Sequence, residues 1–181
     1  MATRDEWLTR PREERLERIA RTADDLADAI RGRSDGVLSR RPDPKTWSAK
    51  EIVCHLRDIE ELVILRFHMM LAMEEPKVFA AGAAPSDPAE WGIGGDVPFP
   101  LDPDRWAEER QYLKNDTALA LAAFRRRRNE VLALLRKLSP TEWKRGCIHP
   151  TLGRVTFEDW TAGMAGHDDN HTAQLKQALN A

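Results

Sequence analysis

Two histidines, His167 and His171, stand four residues apart in the stretch GMAGHDDNHTAQL. On a helix, positions i and i+4 lie on one face with their Cβ atoms roughly 5 to 6 Å apart. Two imidazoles so placed can hold one metal ion between them. The pair alone is a weak signal, because H-x-x-x-H arises by chance and a buried histidine often just donates to a neighbouring carbonyl. A metal reading needs a third ligand and a scaffold that brings it within reach.

The scaffold follows from four stretches with helical start signals and apolar steps of three and four. The first runs from about Pro11 to Gly32, with a stripe of Leu16, Ile19, Ala23, Leu26 and Ile30. The second opens with TWSAKEI, where Ser48 caps, Glu51 is the capping-box partner and Trp47 staples onto Ile52; it ends before Pro76. The third extends from about Asp104 to Lys137 along Thr117, Leu121, Phe124, Arg128, Val131, Leu135 and Leu138. The fourth opens with VTFEDW, capped by Thr156 with Asp159 as box partner and Val155 stapled onto Trp160. Faces of this spacing pack at shallow angles, so the expected class is all-α, a four-helix bundle. β-structure has little room, since sustained period-two alternation of β-branched residues is missing. The connection from Glu74 to Pro103 is rich in Gly and Pro and too long for a simple turn. The link from Ser139 to Val155 contains SPTEW, read as one short helical turn, and then HPTLGRV.

The third ligand emerges when the second stripe is extended from Ile52 through His55, Ile59, Leu62, Arg66, Met69 and Met73. The fourth runs Trp160, Met164, His167, His171, Gln174, Ala178. His55, His167 and His171 therefore share the bundle interior, each seven or more residues past its cap. A shared metal would satisfy three buried imidazoles at once, whereas each unpartnered ring costs free energy. Three neutral imidazoles suit zinc, nickel, copper or iron, and three protein ligands with an open position is the arrangement of a catalytic site. For any single one of them, satisfied core packing is the competing reading. His68 lies off the seam and His149 precedes a proline in a loop; both are read as surface residues.

TWSAKEIVCHLRDIE, LGRVTFEDWTAGMAGHDDNHTAQL and the link LLRKLSPTEWKRGCIHPTLGRVT resemble the signature segments of the DinB-like superfamily. That group includes the YfiT-type proteins, provisionally named metal-dependent hydrolases, and the bacillithiol and mycothiol S-transferases. The resemblance covers most of the chain and implies that His55, His167 and His171 bind a divalent metal; zinc or nickel is the expected ion. It also implies an up-down-down-up bundle with a long crossover between helices 2 and 3, and a homodimer.

Arg128 interrupts the apolar seam of the third helix, where a buried guanidinium needs an anion. It is either a holder for the carboxylate of a substrate or thiol, or part of an internal salt bridge to a carboxylate such as Asp58 or Glu61, or a side chain that snorkels out. Asp168 and Asp169 flank the ligands and point elsewhere on the helix wheel, as orienting acceptors or as solvated groups. Met69, Met70 and Met73 read as core filler, and Trp91 and Phe99 as possible covers of the pocket.

At 181 residues the chain fits one domain, 1–181. Its formal net charge of −2 argues against a nucleic-acid partner, and FRRRRNE reads as a largely solvated basic face. No apolar run approaches a membrane span and the N-terminal stretch lacks a signal-peptide core, which points to the cytoplasm. Cys54 and Cys147 are not spaced as C-x-x-C and read as reduced thiols. The expected function is a metal-dependent enzyme acting on a small-molecule substrate, with the ion activating a low-molecular-weight thiol (S-transferase) or water (hydrolase). A slight tilt goes to the thiol, because no glutamate adjoins the ligands in the H-E-x-x-H manner. The competing class is a non-catalytic metal- or ligand-binding bundle, which would close the site with a fourth protein ligand such as His149 or Cys54.

Overall fold

Ser48 and Thr156 start the two helices that carry the histidines. Ser48 Oγ accepts from Glu51 N at 3.3 Å while Glu51 Oε2 accepts from Ser48 N at 2.9 Å. Thr156 and Asp159 form the same reciprocal pair at 3.4 and 2.9 Å. Each box satisfies amide donors that an unassisted helix end leaves unpaired. The computed structural model describes residues 3–94 and 101–181. Its helices are α1 (Arg4–Leu8), α2 (Arg12–Ile30), α3 (Asp35–Ser39), α4 (Ala49–Ala72), α5 (Pro103–Glu109), α6 (Thr117–Leu135) and α7 (Phe157–Asn180). A hairpin joins β1 (Gly146–His149) to β2 (Gly153–Thr156).

α2, α4, α6 and α7 form a four-helix bundle whose side-chain pairings give the directions. Arg12 meets Glu158 and Arg18 meets Asp169, so α2 and α7 run parallel. His55 meets His167 while Phe67 meets Phe157, so α4 and α7 are antiparallel. Arg125 meets Asp24 and Arg128 meets Ile19 O, which sets α6 antiparallel to α2. The order is up-down-down-up, with the crossover falling between α4 and α6.

Three features depart from the sequence expectations. The third helix is broken: α5 ends at Glu109, Gln111 takes a positive φ of 50° and α6 restarts behind an Asp116 cap. Asn115 Nδ2 holds the break by donating to Arg110 O and Gln111 O at 3.1 and 2.9 Å. The link before α7 contains the expected turn, Glu142–Lys144, and then a hairpin where β-structure was not expected. Its turn needs Gly153 at φ 68°, a backbone state that glycine adopts freely. The start of the crossover lies along β1, with Val78 N donating to Ile148 O and Ile148 N to Pro76 O at 3.0 and 2.9 Å. The short α1 and α3 were not anticipated either; Trp7 anchors α1 through a 3.0 Å bond from Nε1 to Asp169.

The core is split. One apolar cluster centres on Phe67, Trp143 and Phe157, the other on Leu26, Ile52, Phe124 and Leu175. Between them each of the four bundle helices contributes a buried polar residue: Thr22, Glu60, Arg128 and Asp168. Of the three methionines read as filler, Met70 is fully buried and Met69 packs on the core, while Met73 ends α4 and is 51% exposed. Among the described residues no helix is long and apolar enough to cross a membrane.

Candidate metal centre

His55, on the second turn of α4, faces His167 and His171, on the third and fourth turns of α7. His167 Nε2 lies 3.4 Å from His55 Nε2 and 3.1 Å from His171 Nε2. One ligand atom from each of the three falls within 4.8 Å of the others, and they are the group so placed among the described residues. Nitrogens bound to one tetrahedral zinc at about 2.0–2.1 Å stand roughly 3.3 Å apart, so these separations suit a shared ion.

The protonation states fit as well. His171 Nδ1 lies 2.8 Å from Gln174 Oε1; an amide oxygen only accepts, so the ring proton sits on Nδ1 and Nε2 keeps its lone pair toward the cluster. Burial, then the neighbouring His167, pushes His171 down to about 3. Burial and the other two rings hold His55 well below the ordinary histidine range. Both are neutral near pH 7, the state that metal ligation requires. Trp47 walls the group, tilted against His55 at 4.8 Å and stacked on His171 at 6.4 Å between ring centres.

Neither candidate fourth ligand closes the site. Cys54 Sγ is turned to Tyr112 O at 3.9 Å, and burial pushes its thiol up to about 11. His149 Nδ1 accepts from Thr151 N at 3.2 Å and Leu152 N at 3.3 Å. The surface reading holds for exposed His68 but not for His149, which is 8% exposed. His149 ends β1, and the hairpin missed in the sequence folds it inward.

Arg128 takes the internal alternative, with partners other than those named from sequence. It is 2% exposed. Its Nε and Nη2 donate to the two oxygens of Glu60 at 2.7 and 2.9 Å, its Nη1 to Asp168 Oδ2 at 2.5 Å and Ile19 O at 2.6 Å, and its Nη2 also to Asp168 Oδ1 at 3.2 Å. No donor remains for a substrate carboxylate, and we assign Arg128 to the core. Asp58 instead pairs with Arg57 and Arg110, and Glu61 with Arg127. Asp168 is a buried member of this network, not a solvated flank, and Thr22 Oγ1 donates to it at 2.6 Å. Asp169 accepts from Trp7 and Arg18.

A cavity of about 220 Å³ reaches the triad at His167; its polar lining includes Glu60, Arg128 and Asp168 as well as Arg66, His149 and the Arg4–Asp159 pair. Leu56, Ile59, Val63, Val155 and Met164 make its apolar walls, together with Ala80 and Ala81 of the crossover. Trp91 packs on Phe79 away from this lining; Phe99 lies outside the described residues. Sequence reasoning missed the cavity's polar end; the seam position of Arg66 was its available signal.

The sequence model of the DinB superfamily matches residues 18–175, and the chain belongs to that family. Among similar proteins, YfiT of Bacillus subtilis is 24% identical over 153 residues, 84% of this chain and 75% of that protein. OB0413 of Oceanobacillus iheyensis is 22% identical over 165 residues, 91% and 83% of the two chains. Both carry provisional names as metal-dependent hydrolases. The solved structure of YfiT, described as a four-helix bundle of unusual topology, superposes with a TM-score of 0.75 at 22% identity, covering 93% of this chain and 85% of its own.

Proposed function

We propose that this chain is a divalent-metal-dependent enzyme in which His55, His167 and His171 hold the ion. The observation that carries this reading is the convergence of three imidazole nitrogens, one of them from His167 on the wall of a largely apolar cavity, without a fourth protein ligand among the described residues. An open position of that kind is the mark of catalytic sites; the all-nitrogen donor set suits zinc, nickel, copper or iron, and of these we propose zinc or nickel. The provisional names of the two relatives support metal dependence. When bound, such an ion lowers the pKa of a thiol or water and so supplies a nucleophile at neutral pH.

Between the two nucleophiles we favour a low-molecular-weight thiol over water. Each carboxylate lining the cavity is already paired: Glu60 and Asp168 with Arg128, Asp159 with Arg4. None of these carboxylates is free to act as a hydrolytic base, and a thiol, a far stronger acid than water, gives up its proton to solvent more readily on binding the ion. In the transfer, sulfur bonds to an electrophilic carbon and the leaving group departs with the bonding electrons. Both cysteines are buried and free, in keeping with a cytoplasmic setting and a small-molecule thiol as co-substrate. Leu119 of α6, 72% exposed, would be covered in a homodimer, which light scattering would test.

The test is a two-way assay on protein purified with its metal. A panel of low-molecular-weight thiols is offered with 1-chloro-2,4-dinitrobenzene, and p-nitrophenyl acetate is offered without thiol. We expect thioether formation that disappears in His171→Ala; ester hydrolysis alone would move the assignment to a hydrolase, and neither activity in metal-loaded protein would favour a binding module.

A further inference from the structure

Arg66 is a buried cation without a counter-charge. It is 5% exposed, lies against the ring of Trp160 at 5.1 Å and faces the cavity. Its Nη2 is shielded from solvent and has no hydrogen-bond partner, and no carboxylate lies within ion-pair reach among the described residues. Burial pushes its pKa down to about 10, so it stays charged near neutrality. A lone buried charge is costly, and a well-packed apolar side chain of similar volume is often more stable in such a place. The other arginines buried in the bundle are paired: Arg15 with Glu158, Arg18 with Asp169, Arg128 with Glu60 and Asp168.

His149 stands at the same end. Its Nδ1 accepts two backbone N–H groups, which places the ring proton on Nε2 as a donor. Burial and then Arg66 push it down to about 4, so it adds a neutral donor and no second charge. Arg4 also lines the cavity, but its charge is met by Asp159 at 2.6 Å, so the polar end offers one unpaired positive charge in a planar fork and one neutral N–H, which matches a monoanionic carboxylate better than a dianionic phosphate. Trp160, under Arg66, precedes His167 by seven residues, about 10 Å along the helix axis. A cavity of roughly 150 Å³ accepts benzene; this one holds about 220 Å³, enough for a somewhat larger body.

We propose that the cavity takes a small organic acid with an apolar body, its carboxylate anchored by the Arg66 guanidinium and the His149 Nε2–H and its far end directed at His167. The orientation toward His167 rests on the triad being the reaction centre; the anchor does not.

The test is calorimetric titration of the purified protein with benzoate, phenylacetate and hexanoate, each paired with its neutral amide, alongside Arg66→Met, Arg66→Lys and His171→Ala. The acids should bind the parent and the amides much more weakly. Arg66→Met should fold, keep the parent's metal content and bind the acids about ten- to a hundredfold more weakly, the range for losing charge-assisted hydrogen bonds. If that variant does not fold, Arg66→Lys decides, because it keeps the charge and loses the fork: acids should weaken and amides stay as they were. Acids binding no better than amides, or binding the Arg66 variants as tightly as the parent, would overturn the anchor. His171→Ala should keep acid binding while losing metal. Retained metal there would sink the triad reading and leave the anchor standing.

Discussion

A metal ligand is only as good as the group that fixes its tautomer. Gln174 does this for His171 by accepting the Nδ1 proton at 2.8 Å. Loss of such an outer partner weakens metal binding about 10- to 100-fold, so Gln174→Ala should show that loss in a competition titration with a chelator while its helical signal stays that of the parent. His149 makes a different prediction. Its folded pKa, about 4, lies below the ordinary 6.5, so between those values the unfolded chain binds more protons than the folded one. Stability must therefore fall as pH drops through that window, by about 3 kcal/mol from this residue. Urea titrations across the window should give His149→Gln a shallower fall than the parent by about that amount. An equal slope in both would show that His149 is not held neutral by the fold.

The elements position these residues through their ends. His55 lies seven residues after Ser48 and His167 eleven after Thr156, so the two capping boxes set where the imidazoles meet. Ser48→Ala and Thr156→Ala should each lower unfolding free energy by about 1 kcal/mol in denaturant titrations. The same boxes were readable from sequence, as were the four stripes, because caps and heptad-like spacing are local. What was not legible depends on contacts remote in sequence. α1 is too short to announce itself and is held by Trp7 on Asp169 and Arg4 on Asp159. The hairpin strands are four residues each, too short to show alternation. The Asn115 and Asp116 signal that splits the third helix was present, and the continuous stripe through Thr117 masked it. Arg128 shows the limit most plainly: its burial was readable from the seam, but its partners Glu60 and Asp168 come from two other helices, and only the bundle geometry selects them over Asp58 and Glu61.

At the scale of the whole molecule, the layer of Thr22, Glu60, Arg128 and Asp168 ties all four bundle helices together between two apolar clusters. Two carboxylates share one guanidinium there, so Arg128→Met would strand both without a cation. Removing one side of a buried ion pair typically costs about 3–5 kcal/mol, and thermal unfolding of the variant should show a loss of that size. A variant as stable as the parent would mean that Arg128 is not the tie between the helices. Asp168 is also the immediate neighbour of His167, so this layer anchors the α7 face that presents the triad. The central claim is that His55, His167 and His171 hold one divalent ion. Its most direct test is the metal content, by mass spectrometry, of protein purified without added metal or an affinity tag, measured beside folded His171→Ala. About one zinc or nickel per chain in the parent, largely lost in the variant, is the predicted result. A folded parent that carries no metal and takes up neither zinc nor nickel would contradict it.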